Sequence, residues 1–401
     1  MKVLTFVNYY LPGFRGGGPI RSVANLVAHL GREFEFRIVT TDRDFQDTHA
    51  YAGVVPGEWR PVGDAEVLYM PDERMTLWGI RQLLRGADCD VIYLNSFFHP
   101  RYTIPILLLR QLRMIPDKAV VLAPRGELSP GALALKKWKK RLFITLARRI
   151  GLYHGVLWQA SSIHEEADIR TIFGGGAKID RVPVLVVPDM PEPNVASEIP
   201  PKAEKMKGRL RVAFLSRITR KKNLDGALRM LSRGLRGEVE FNIYGNVDDA
   251  AYWMECQKIM RSLPGNIHAR YAGSIEHSSV QRELMQNELF FLPTHGENFG
   301  HVVLEALFAG CNILISDRTP WLDLERQSIG WAVPLEQPDR FVEVLQQMID
   351  MGPAEFAERS QRALEYGIQV SRDPAVTRDN RALFEHAVAL QDHRRFAENR
   401  K

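Results

Sequence analysis

"LPTHGENFGHVVLEALFAG", residues 292–310, decides how this chain is read. An apolar run from Leu289 to Leu292 stops at Pro293, a turn containing Gly296 follows, and a helix begins close to Phe299 or Gly300. Two carboxylates bracket that helix start, Glu297 in the turn and Glu305 on the helix, about 12 Å apart at helical rise. In a parallel α/β sheet, ligands bind outside the carboxyl ends of the strands. One extended ligand could therefore meet both carboxylates. The helix dipole also favours a first-turn carboxylate, so structural roles for Glu297 and for Glu305 stay open at this point.

Working outward, short β-type runs alternate with helix-length amphipathic stretches: "KVLTFVN", then 19–32; "FEFRIVT"; "DVIYLN", then 103–113; "AVVLAP", then 131–150; "GVLWQA", then 163–173. This rhythm predicts a parallel sheet covered by helices on both faces. It stops near Val187, where residues 187–208 hold five prolines and little apolar periodicity, the composition of a linker. A second series follows: "LRVAFLS", "EVEFNIYG", "IHARYAG", "NELFFLPT" and "CNILIS". The expected fold class is α/β with two doubly wound Rossmann-like domains. The boundaries read as an N-terminal domain over 1–190, a linker over 191–208, a C-terminal domain over 209–375, and a final helix over 376–401 packing back on the first domain.

Composition fits a soluble globular protein, with 45% apolar and 25% charged residues in 401. The three cysteines, Cys89, Cys256 and Cys311, lie far apart without metal-ligand spacing. Buried thiols in a reducing compartment are expected. The N-terminal stretch lacks a signal-peptide pattern, and no run reaches the roughly 20 apolar residues of a membrane span. The expected location is the cytoplasm, with peripheral attachment to the inner membrane face open.

The net charge of +5 is uneven, and no Asp or Glu occurs between Leu128 and His164. There "LKKWKKRLFITLARRI", 135–150, sets Leu135, Trp138, Leu142 and Leu146 on one helical face and Lys136, Lys137, Lys140, Arg141 and Arg148 on the other. Periodicity alone leaves two readings equal, a surface helix with its stripe in the core and a helix lying on an anionic membrane. No motif supports nucleic acid as a partner.

Two more strand ends carry candidate chemistry. "SRITRKKNLD", 216–225, puts Arg217 just past a strand and Lys222 just before a helix, where cations and free backbone N–H groups suit a diphosphate. "GFRGGGPIRS" places Gly16, Gly17 and Gly18 before Pro19 at a first helical turn, which lets backbone approach an anion. This is not a dinucleotide fingerprint. The pair Asp88 and Asp90 precedes its strand and reads as an entry turn, and the histidines lack zinc spacing. No metal or cofactor is expected.

Taken together, the loop at 16–19, "SRITRKKNLD", and "GENFGHVVLEALFAG" at 296–310 resemble a family-4 (group 1) retaining glycosyltransferase of the two-domain GT-B fold, in which the two domains face across a cleft. The resemblance implies that Arg217 and Lys222 hold and neutralise the donor diphosphate without metal, and that Glu305 binds the ribose. It implies that Glu297 meets the transferred sugar, that the amides of Asn298, Phe299 and Gly300 add donors, and that Gly17 and Gly18 close over phosphate or acceptor. The family's Glu-x7-Glu pattern stands here as Glu297 and Glu305. Arg125, in "APRGELSPG", stands where relatives carry a sugar-contacting histidine. It is a tentative acceptor or sugar contact, with His99 of "NSFFHP" as a substitute. Asn223 stands where glycine is frequent.

The implied activity is hexose transfer from a nucleoside diphosphate sugar to a glycan or lipid-linked glycan acceptor in surface polysaccharide biosynthesis, by front-side attack. A silent nucleotide-sugar binding scaffold and a sugar-nucleotide hydrolase or epimerase remain as alternatives. The base pocket is expected near Tyr244 to Asn246 and Gly273 to Glu276.

Overall fold

The computed structural model of the chain describes residues 1–134, 137–174, 182–193 and 204–398. It divides into two compact units, Met1–Pro193 with Asp373–Lys401, and Asn194–Arg372.

The first unit runs β1 (Lys2–Val7), α1 (Gly18–Leu30), β2 (Glu35–Thr41), β3 (Trp59–Val62), β4 (Ala65–Met70), α2 (Leu77–Gly86), β5 (Val91–Asn95), α3 (Thr103–Gln111), β6 (Ala119–Ala123), α4 (Pro130–Ala134), α5 (Lys137–Arg149), β7 (Leu157–Ala160), α6 (Ile163–Phe173) and β8 (Val184–Val186). Its sheet has the order β3-β4-β2-β1-β5-β6-β7-β8. All pairs are parallel except β3 with β4. β5 and β6 are buried at every residue, which is why "VIYLN" and "AVVLA" read as continuous apolar runs rather than alternating ones. One face packs α2, α3 and α5 through Ile80, Leu84, Ile106, Leu109, Ile144 and Ala147. The opposite face packs α1 through Val23, Leu26 and Leu30.

The second unit runs β9 (Arg209–Leu215), a 3-10 turn (Arg220–Lys222), α7 (Leu224–Leu231), β10 (Glu238–Tyr244), α8 (Ala250–Arg261), β11 (Ile267–Gly273), α9 (His277–Met285), β12 (Leu289–Leu292), α10 (His301–Phe308), β13 (Asn312–Ser316), β14 (Gly330–Val333), α11 (Pro338–Asp350) and α12 (Pro353–Ser371). Its sheet, β11-β10-β9-β12-β13-β14, is parallel throughout. After Arg372 the chain returns to the first unit as α13 (Pro374–Glu398), where Phe384 packs edge-on to Phe34, Phe36 and Tyr93.

The strand order reverses direction between β1 and β5 in the first sheet and between β9 and β12 in the second. Such switch points open a crevice at the carboxyl edge. Loops after β9 and β12 carry Lys222 and Glu297, and loops after β1 and β5 carry Gly17 and His99.

Several elements differ from the sequence expectation. The β3–β4 hairpin, α2 and β8 were not expected; of the helix read over 131–150, Pro130–Ala134 and Lys137–Arg149 are helical. Leu135 and Lys136 lie outside the described residues, as does 194–203 of the expected linker. Asp90 accepts the Lys2 N–H at 2.8 Å and Asp88 pairs with the Lys2 ammonium, so this acidic pair ties down the start of β1, at the edge away from the switch point. Among the described residues no helix is long and apolar enough to cross a membrane.

Candidate active site

In the second unit the loop after β12 is latched to the basic turn after β9. His295 N and Thr294 Oγ1 donate to the Lys221 carbonyl at 2.8 and 3.1 Å, and Asn223 Nδ2 donates to the Pro293 carbonyl at 2.8 Å. Asn223 adopts φ 58°, ψ 43° as it opens α7. Asparagine tolerates this left-handed conformation better than other side-chain-bearing residues, so the replacement of glycine keeps the turn and adds a bond.

The latch sets Lys222 against Glu297, whose carboxylate Oε2 accepts from the ammonium. Both side chains are largely buried. Burial works to raise the Glu297 pKa, but Lys222 and Lys221 outweigh it and hold the carboxyl below its ordinary value of 4.5. Glu297 is therefore an ionised acceptor beside a cation.

The backbone then turns through Asn298, Phe299 and Gly300 into α10. Gly300 has φ 79° and ψ 57°, and a Cβ there would lie 3.0 Å from Glu297 Cγ. Only glycine fits both the conformation and the space. Trp321, in the loop after β13, donates its Nε1–H to the Phe299 carbonyl at 2.6 Å. Pinning that carbonyl fixes the orientation of the neighbouring peptide groups.

Arg217 sits past β9 with Nη1 3.0 Å from Asp248 Oδ2. Asp248 is nearly buried. Burial raises its pKa, Arg217 pulls it down, and the net is upward. Asp248 was missed in the sequence; it orients Arg217 across a loop, and no local signal announces that pairing. Glu305 lies one turn into α10, with Oε1 3.7 Å from Nδ1 of His277 at the start of α9. The expected base-pocket loops are joined to the motif loops, since Ile218 N donates to Asn246 O at 2.7 Å and Gly245 N to Gly273 O at 2.8 Å. The loops after β9, β10, β11 and β12 form one connected rim.

The first unit has a different character. Gly17 precedes α1 with φ 76°, and a Cβ at Gly18 would meet nothing within 4 Å, so this turn is open. Arg125 is turned inward, with 8% of its side chain exposed. It pairs with Asp189 and donates to Asn95 Oδ1 and the Tyr93 hydroxyl at 2.7 Å each. Asp189 also accepts from Ser22 Oγ of α1 at 2.7 Å. Arg125 thus joins β5, α1 and the segment after β8. Its guanidinium is committed to that network rather than presented at a rim.

His99 has Nε2 2.8 Å from Asn8 Oδ1 and its ring stacked 3.7 Å from Tyr102. Burial, with a smaller push from Arg101, lowers its pKa to about 3. It is a neutral imidazole at the first switch point.

Residues 195–369 match the family of glycosyl transferases group 1. The match lies within the second unit. Solved structures extend the likeness to both units. Sucrose-phosphate synthase from Thermosynechococcus elongatus is 14% identical with TM-score 0.64, covering 99% of this chain and 98% of its own. WaaG, a glycosyltransferase involved in lipopolysaccharide biosynthesis, is 14% identical with TM-score 0.63 over 96% and 98%. HepE of Anabaena, solved in complex with UDP and glucose, is 14% identical with TM-score 0.66 over 97% and 100%. At that identity the likeness carries the fold, and the fold is GT-B. No curated protein matches the chain.

Proposed function

We propose that this protein transfers a hexose from a UDP-linked sugar, with retention of anomeric configuration and without metal, to a glycan or lipid-linked glycan acceptor in surface polysaccharide biosynthesis. The observation that carries the reading is the Lys222–Glu297 pair, held at the switch point of the unit that matches the group 1 glycosyl transferases. Uridine is favoured as the base because the related HepE structure holds UDP and glucose.

In the proposed reaction Lys222 and Arg217 face the diphosphate and neutralise the charge that grows as the bond from C1 to the phosphate oxygen breaks, a preorganised electrostatic contribution. The amides of Asn298, Phe299 and Gly300 add donors at the start of α10. Glu297 accepts from the sugar hydroxyls, Glu305 from the ribose, and Gly17 and Gly18 approach phosphate or acceptor. The acceptor hydroxyl attacks C1 from the face the diphosphate leaves, and its proton passes to the departing β-phosphate oxygen. The neutral His99 makes an acceptor-side contact. Arg125 acts at one remove, by fixing the loops around β5.

The membrane part of the proposal rests on α5. Trp138, Leu142 and Leu146 are 67%, 63% and 56% exposed, whereas Ile144 and Ala147 face the core. These three members of the apolar stripe that periodicity left between core and surface are therefore on the surface. They lie on a helix with Lys137, Lys139, Lys140, Arg141, Arg148 and Arg149 and no acidic residue, the pattern of an interfacial helix. A protein so built works at the cytoplasmic membrane face.

The test is transfer from UDP-glucose and its relatives to lipid-linked and soluble glycans in excess chelator, with the product anomer read by proton NMR. An α-linked product from an α-donor is expected. Free sugar alone would indicate a hydrolase, and binding without turnover a scaffold; either outcome overturns the proposal. Trp321→Phe, which keeps the ring and loses the indole N–H, is expected to raise KM for the donor about fivefold to tenfold, about 1–1.4 kcal/mol, with the acceptor KM unchanged.

A further inference from the structure

The apolar surface of the first unit does not end with α5. Leu77 and Trp78, in the first turn of α2, are 51% and 67% exposed, although the same helix buries Ile80 and Leu84. Trp78 and Trp138 share one feature. Trp78 carries the Arg81 guanidinium 5.0 Å from its ring centroid and Trp138 carries the Lys139 ammonium at 5.4 Å. Trp78 lies in a first helical turn that lacks acidic residues, where the helix dipole would favour them, and Lys137–Arg149 carries no acidic residue along its length.

The topology puts these sites on one side. α2, α3 and α5 bury their apolar stripes in the same cluster, against the same sheet face. α2 packs on α3, and α3 is tied to the chain just after α5, where Arg110 Nη1 donates to the His154 carbonyl at 2.8 Å and Gln111 donates to the Ile150 carbonyl. Crossover helices in a parallel sheet start at the carboxyl ends of the strands they follow. Trp78, in the first turn of the helix after β4, therefore lies at the rim that carries His99 and the glycine turn, and α5 belongs to the crossover that leaves the same rim after β6. Exposed Ile163 opens α6 at the same rim.

We infer that the Leu77–Trp78 turn of α2 is a second anchor to an anionic lipid bilayer, which with α5 seats the carboxyl rim of the first sheet on the membrane. The inference rests on the membrane reading given above and adds to it an orientation. Charge decides the occupant: tryptophans each topped by a cation, beside Arg85 on α2 and the basic face of α5, match the amphipathic, negatively charged headgroup layer. With the rim seated in that way, a lipid-borne acceptor reaches the first switch point from the bilayer.

The experiment is co-sedimentation of the full chain with phosphatidylcholine vesicles holding 0 or about 40% phosphatidylglycerol. Wild type, Trp78→Ser, Trp138→Ser and the double variant are compared, with melting temperature and UDP affinity as folding controls. Trp78→Ser is expected to weaken partitioning into anionic vesicles about fivefold to tenfold, Trp138→Ser similarly, and the double variant by about the product, as for independent contacts. Tight binding by wild type that Trp78→Ser leaves untouched would overturn the second anchor while sparing α5. Binding by no form would overturn the membrane reading and this inference together. Self-association that buries Trp78, without vesicle binding, would assign the patch to a second copy of the chain and overturn the inference.

Discussion

Lys222→Ala is expected to lower kcat/KM for the nucleotide-sugar donor by about 10²–10³-fold, about 2.7–4 kcal/mol, the usual consequence of removing one preorganised group that meets developing charge. Steady-state kinetics at fixed acceptor checks it, and the loss should fall mainly on kcat. A second signature separates this site from a mere ion pair. In the native protein the Glu297 carboxyl is held below its ordinary 4.5 because the lysines outweigh burial. A folded-state pKa below the unfolded one stabilises the fold above pH about 4.5, and that stability is lost as pH falls below it. Without Lys222, burial has less to oppose it, so the carboxyl shifts upward and the variant should lose stability at neutral pH relative to pH 5. Unchanged activity in Lys222→Ala would remove the diphosphate role of the β9 loop.

Arg125→Met is expected to destabilise the first unit by about 3–5 kcal/mol, because it strands the buried Asp189 carboxylate. A fall of roughly 10 °C in the melting transition is the readout, and Asp189→Asn in the same chain should restore much of it. UDP affinity should stay at the wild-type value, since Arg125 and Asp189 belong to the first unit and the proposed donor site to the second. A variant that melts normally and loses only acceptor affinity would instead make Arg125 an acceptor contact.

The geometry of the candidate site was legible in the sequence where it depends on short-range pattern. Glu297, Gly300 and Glu305 fall within one strand–turn–helix unit, and Lys222 and Asn223 in another, so spacing carries most of their geometry. What was missed depends on chain segments far apart. The pairing of Asp248 with Arg217 and the bond from Trp321 to the Phe299 carbonyl each join different loops, and no local periodicity reports them. Arg125 illustrates the same limit, because the residue was visible and the direction of its side chain was not.

The fold shows a parallel division. β5 and β6 are buried on both faces and stand out as apolar runs. The hairpin strand β3, "WRPV", is four half-exposed residues with a proline, too short and too polar to signal itself. On α5 the period of the stripe was readable, but which side the sheet covers is set by Ile144 and Ala147, which join the core cluster.

The rim of the second sheet is proposed to bind a nucleoside diphosphate sugar. Calorimetric titration of the chain with UDP-glucose and UDP in excess chelator, repeated with Glu305→Ala, tests it most directly. Saturable binding to the wild type, weakened at least tenfold by the substitution, is the expected result. No binding of UDP, GDP, ADP or their sugars, or binding that Glu305→Ala leaves unaltered, would contradict it.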